Sequence, residues 1–109
     1  MKVTWLLINC NSRAEADRIG NTLLKQRRIA CYDIILRSKA AYFWPPKSGK
    51  VETAKGAMLI AVTMPKLVLK VRTTVTRLHS DSLPSINGIA VDVSKEYFRW
   101  VQGEVRHGH

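Results

Sequence analysis

Between Ser12-Arg-Ala-Glu15 and Tyr42-Phe43-Trp44 the chain changes its apolar period once, from about 3.6 residues to two. Ser12 can accept a hydrogen bond from the Glu15 amide, and the Glu15 side chain can reach back to the Ser12 amide. That reciprocal pair is a capping box and predicts a helix start. Ala16, Ile19, Gly20, Leu23 and Leu24 then recur at three- and four-residue steps, the mark of one buried stripe, in a helix predicted to end near Arg28. From Ile29-Ala-Cys-Tyr-Asp-Ile-Ile35 onward the period is two. Tyr32, Ile34, Leu36, Ala40, Tyr42 and Trp44 are expected on one strand face, with Asp33, Arg37 and Lys39 on the other. A helix feeding a long, one-sided strand is half of an α/β sandwich, and the flanking sequence must supply the rest.

Upstream, Val3 to Ile8 is an apolar run with the character of a central strand, and Asn9-Cys10-Asn11-Ser12 is turn chemistry. Downstream, Pro45-Pro46 ends the long strand and Lys47-Ser-Gly-Lys50 makes a basic hairpin tip. A third strand is expected from Val51 to Thr63, with Gly56 marking a bulge or a close approach. Pro65 opens a second helix with Thr63 as its expected cap, and Leu67, Val68, Val71, Val75 and Leu78 form its stripe. Ile86 to Val93 reads as a fourth strand interrupted at Asn87-Gly88. Ser94 caps a terminal helix in which Tyr97 and Trp100 are expected to dock on the sheet edge. The order β-α-β-β-α-β plus a helix predicts an α+β, ferredoxin-like sandwich: a four-stranded antiparallel sheet with two helices on one face.

The chain of 109 residues reads as one domain over residues 1–106, and His107-Gly-His109 as a flexible tail. An apolar content of 46% excludes global disorder. Eighteen Lys and Arg against eight Asp and Glu give a net charge of +10, which attracts anionic partners or simply solvates the surface. Two cysteines, Cys10 and Cys31, make no disulfide framework and suit a reducing compartment, the cytoplasm. The apolar run before Asn9 is too short for a signal-peptide core or a membrane span.

A ferredoxin-like sheet leaves one face without helices. Trp5, Cys31, Ile35, Phe43 and Leu59 are expected to point that way, and wetting such a face costs roughly 25 cal/mol per Å² of apolar area. Copies of the same chain are the simplest cover, so a homo-oligomer is expected.

Arg28-Ile-Ala-Cys31, the Tyr42-Phe-Trp44 strand end, His79 with Pro84 beyond it, and Tyr97-Phe-Arg-Trp100 occur in the order and spacing of the CutA divalent-cation tolerance family. The resemblance runs from Val3 to about Val101. It implies a ferredoxin-like, PII-like protomer in a compact homotrimer, with sheets facing inward and long hairpins crossing between subunits. It also implies a role in divalent metal (copper) tolerance or small-ligand signalling. Gly56, Val62, Ser80, Asp81, Ser85 and Pro46 depart from the family pattern. The resemblance places an inter-subunit pocket near Cys31, Tyr42, Trp44, Asp81 and Trp100.

Cys10 and His79 are the soft and borderline ligand types that copper or zinc selects, and the family pattern adds a glutamate where this chain has Ser85. Against a metal site stands a structural role: Cys10 as a small strand-end residue and His79 as a helix C-terminal cap. Tyr42, Phe43 and Trp44 suit either a stacking platform or subunit packing. An RNA-recognition domain shares the element order, but its third strand needs aromatics where this chain has Lys55-Gly-Ala-Met-Leu-Ile60. Binding to nucleic acid or another anionic partner would therefore be electrostatic and not sequence-specific. With no Gly-rich phosphate loop and no paired carboxylates in a shared motif, the chain reads as a non-enzyme.

Overall fold

The apolar periods place four strands and three helices in the computed structural model, which describes residues 1–106. The expected flexible tail, His107-Gly-His109, lies outside the described residues. In order these are β1 (Lys2–Cys10), α1 (Arg13–Lys25), β2 (Cys31–Phe43), β3 (Val51–Thr63), a 3-10 turn (Pro65–Leu67), α2 (Val68–Leu78), β4 (Ile86–Asp92) and α3 (Lys95–Glu104). The sheet order is β2-β3-β1-β4, with every neighbour antiparallel. This is the α+β, ferredoxin-like βαββαβ arrangement with a C-terminal helix that the pattern predicts.

Helices α1 and α2 cover one sheet face. Ala16, Ile19 and Leu23 of α1 and Val71 and Val75 of α2 meet Leu6, Ile8, Cys10, Ala57, Leu59 and Ala61 from the central strands. Leu6, Ile8 and Leu59 are fully buried, each contributing roughly 1.5–3 kcal/mol of transfer free energy. Leu59 thus faces the helices, not the open side as expected: it pairs with Ile8, and paired residues share a face. A second cluster gathers on the opposite face, where Val101 and Val105 at the end of α3 meet Val3, Val62, Met64 and Leu67. Helix α3 therefore docks beneath the central strands and not on the sheet edge, because Val3 and Val62 point away from α1 and α2 and need a cover there. Cys31 lies on this side too, packed against that cluster.

Several local expectations are corrected. Helix α1 stops at Lys25, since Arg27 takes φ of 59° and turns the chain toward β2. The Thr63 hydroxyl donates to the Arg28 carbonyl at 2.6 Å and does not cap the second helix, whose first turn starts after Met64 without a side-chain cap. Strand β4 is not interrupted at Asn87-Gly88, as both pair with β1. The long strand does not keep one face. Arg37 pairs with Gly56 but Ala40 pairs with Ala54, so β2 holds one extra residue at Ser38–Lys39. That bulge turns Ala40 and Tyr42 to the side of Arg37, opposite Tyr32, Ile34 and Leu36. Phe43 then falls on the helix side of the hairpin, where it is 72% exposed beyond the reach of the helices. Opposite the bulge, a Cβ on Gly56 would run into the Cys10 carbonyl and the Arg37 guanidinium, so the close approach is real.

What α3 leaves uncovered on its side of the sheet is apolar at the centre. Trp5, Ile35 and Ile89 are 38%, 55% and 50% exposed, and Met58 and Ile60 between them are half-buried. The hairpin of β2 and β3 projects past the layers and gives the protein a long axis of 46 Å against 27 and 24 Å.

Candidate metal centre

Strand β1 carries Cys10 inward at its last position, and the chain turns at once into α1. Ser12 accepts the Glu15 amide at 3.0 Å, as a helix cap should. The other half of the capping box goes elsewhere. Glu15 Oε1 accepts the Asn11 amide at 2.8 Å, one residue earlier than expected, and Oε2 accepts the Ser80 amide at 2.9 Å. Glu15 is therefore buried beneath the loop that follows α2.

His79 caps the end of α2, its amide donating to the Val75 carbonyl at 2.8 Å. Its Nδ1 accepts the Asp81 amide at 3.0 Å, and its Nε2 stands 2.6 Å from the Asn9 carbonyl oxygen. Those partners assign the ring as neutral with its proton on Nε2. Glu15 Oε1 is 3.7 Å from the same Nε2, and Asp81 Oδ2 is 4.0 Å from Nδ1. Asn11 Nδ2 donates to Ser80 Oγ and Asp81 Oδ1, each at 2.9 Å, and so fastens the loop over the cluster.

The ligand atoms of Cys10, Glu15 and His79, all three residues buried, lie within 4.8 Å of one another. A thiol, a carboxylate and an imidazole are the donor set that zinc or copper selects over harder cations. Ligand atoms about 2.0–2.3 Å from a tetrahedral ion stand roughly 3.3–3.8 Å apart, so the set needs about 1 Å of contraction. Three changes of partner are also needed. His79 Nε2 would give up its proton and the Asn9 carbonyl, Nδ1 would take up a proton and release the Asp81 amide, and Cys10 would give up its proton. Burial pushes the Cys10 thiol up to about 12, with the Glu15 charge adding to it, while Arg37 and Arg18 pull the other way. The residues fit an ion in type and proximity, and Asp81 is placed to take the Nδ1 proton of a coordinated imidazole.

The structure thus brings together Cys10 and His79, and adds Glu15, which sequence reasoning treated only as a cap. The pocket residues do not meet within one chain. Asp81 lies at this end, beside His79. Cys31 opens β2 beneath α3, its Sγ 3.7 Å from the Tyr97 hydroxyl, and the Trp100 ring stacks obliquely on Tyr97 at 5.6 Å. Tyr42 and Trp44 stand at the hairpin end, roughly 35 Å along β2 from Cys31, and are 45% and 41% exposed.

Residues 4–104 match the model of a family described as "CutA1 divalent ion tolerance protein". A CutA homolog from Danio rerio is 30% identical over 97 residues, covering 88% of this chain; the chain spans 63% of that relative's length. The divalent-cation tolerance protein CutA of Pyrococcus horikoshii is 34% identical over 92 residues, covering 84% of this chain and 86% of the relative. Among solved structures, the Archaeoglobus fulgidus protein described as a periplasmic divalent cation tolerance protein CutA superposes with a TM-score of 0.88. It is 30% identical and covers 97% of this chain and all of that one. The fold, the sequence match along nearly its whole length and the relatives agree, and the chain belongs to the CutA1 divalent ion tolerance family.

Proposed function

We propose that the protein is a divalent-cation tolerance protein that takes up a thiophilic ion, copper or zinc, through Cys10, Glu15 and His79. The observation that carries this reading is the gathering of three buried donors of that type from three separate elements. The relatives' names point the same way, since two of them are divalent-cation tolerance proteins. The protein acts as a binder and not as a catalyst. It works as a homotrimer, the assembly the family resemblance implies, with the apolar side of the sheet around Trp5, Ile35 and Ile89 turned inward. The cytoplasm suits two unpaired thiols.

Calorimetry with Zn²⁺ and Cu²⁺ tests the metal reading, on a chain shortened to Arg106 so that His107 and His109 do not contribute. One ion per chain is expected, with affinity reduced at least about tenfold in Glu15→Gln and in Cys10→Ser. Equal heats from all three proteins, or none from any, would remove the proposal.

A further inference from the structure

The charge of this protein is not spread evenly over its two faces. Between Glu52 and Asp81 the sequence carries no acidic residue, and α2 lies inside that interval. Lys66, Leu69, Lys70, Thr73 and Arg77 are exposed at helical spacing, so they share the outer side of α2 and the turn before it. Arg13, Arg18 and Lys25 are exposed on α1 in the same layer. Acidic groups there are few among the described residues. Glu15 is buried, and Asp17 on α1 accepts the Tyr32 hydroxyl at 2.7 Å. Asp81 follows the end of α2 and is held by Asn11. Arg72, Thr73, Thr76 and Arg77 line a shallow open depression of about 440 Å³ on the flank of α2. Arg72 is fixed there by its bond to the Ile86 carbonyl at 2.6 Å.

We infer that the outer side of α2 is a docking surface for the phosphate backbone of a nucleic acid duplex, with Lys66, Lys70 and Arg77 as its contacts and Arg72 at its edge. From Lys66 to Arg77 the row spans about 16 Å at helical rise. One strand of a duplex carries about five phosphates over that length. Neither α1 nor α2 contains an aromatic residue, so the layer lacks the aromatic platform on which successive unpaired bases stack, and a regular duplex is favoured over single strands. A membrane fits less well, because Leu69 is the one large apolar side chain exposed among the α2 cations, too little to enter the acyl region. The surface lies on the sheet face opposite the one that copies of the chain would cover, so it stays open in the assembly. The inference is independent of the metal reading.

The test is fluorescence anisotropy with a labelled duplex of mixed sequence, over a series of salt concentrations. Three phosphate contacts predict a slope of about −2.7 in log K against log salt, and equal affinity for unrelated sequences. Lys66→Glu, Lys70→Glu and Arg77→Glu together should weaken binding at least about tenfold. A control with Lys2→Glu, Lys95→Glu and Arg99→Glu removes the same formal charge away from the layer and should change binding about twofold or less. Light scattering checks that both variants keep the parent assembly before their affinities are compared. The inference is overturned by no binding at low salt, by equal loss in the two variants, or by binding to anionic vesicles but not to the duplex.

Discussion

Glu15 Oε2 accepts the backbone amide of Ser80 at 2.9 Å, across 65 residues of sequence. With Oε1 on the Asn11 amide, one carboxylate fastens the start of α1 to the end of β1 and to the loop after α2. Removing it leaves two part-buried amides unpaired, and their partial access to water keeps the cost near about 1–1.5 kcal/mol for each. Glu15→Ala should therefore lower unfolding stability by about 2–3 kcal/mol in urea, and an unchanged midpoint would show that the loop holds without it.

The same carboxylate sets an acid limit. Burial alone would raise the Glu15 carboxyl, but its hydrogen bonds from the Asn11 amide and from Ser80 outweigh that and hold it below the ordinary glutamate value. A depressed folded value gives stability that is complete above the unfolded value and lost as pH falls through the folded one. As pH falls through and below the ordinary glutamate range, the parent protein should lose stability more steeply than Glu15→Gln. Parallel acid limbs in the two proteins would contradict this account.

The caps of the first and last helices, the hairpin turn and the order of elements along the chain were legible because each is encoded within a few residues. Thr63 was misread as a cap because its hydroxyl is taken by the distant Arg28 carbonyl. Ser12 and Ser94 cap as read, and Pro45-Pro46 closes β2 before the hairpin tip. The extra residue at Ser38–Lys39 was not, since it is defined only by pairing with β3, and period-two reading carried Tyr42 to the wrong face. Leu59 failed for a related reason, as a continuous apolar run does not say which side is inward. At the site, Cys10 and His79 stood out by residue type alone. Glu15 did not, because its position matched a local cap whose second half was diverted to Asn11 and to a loop far along the chain.

Thiol chemistry separates the two cysteines. Cys10 is 1% exposed and its thiol is pushed up to about 12, so almost no thiolate exists at neutral pH. Iodoacetamide at pH 8 should leave Cys10 unmodified in the folded protein and alkylate it fully in guanidinium, as read by peptide mass mapping. Rapid native modification of Cys10 would mean that the end of β1 opens far more often than its packing indicates.

Gly56 tests the contact between β3 and the site. A Cβ there meets the Cys10 carbonyl, which is backbone and cannot swing aside, and the Arg37 guanidinium that donates to Asn9 Oδ1 at 3.0 Å. Gly56→Ala should cost about 1–3 kcal/mol by overpacking, whereas Gly103→Ala, with open space around it, should cost far less. Similar thermal midpoints for both variants would rule out the proposed crowding.

The side of the sheet that α3 covers only in part offers the sharpest test of assembly. Trp5 pairs with Ile89 and Ile35 with Met58, so a band of large apolar side chains crosses all four strands where α3 no longer reaches. Ile35 and Ile89 are half exposed in one chain and do not hold the inner core together, so charging them should spare the protomer. Ile35→Lys with Ile89→Lys is expected to keep the far-ultraviolet dichroism of the parent while its light-scattering mass falls from about three chains of 12.3 kDa to one. Buried lysines facing their own copies across an interface cannot be solvated, which is why two substitutions suffice. A parent that already scatters as one chain would remove the assembly, and a double variant that keeps the parent mass would place the subunit contacts elsewhere on the protein.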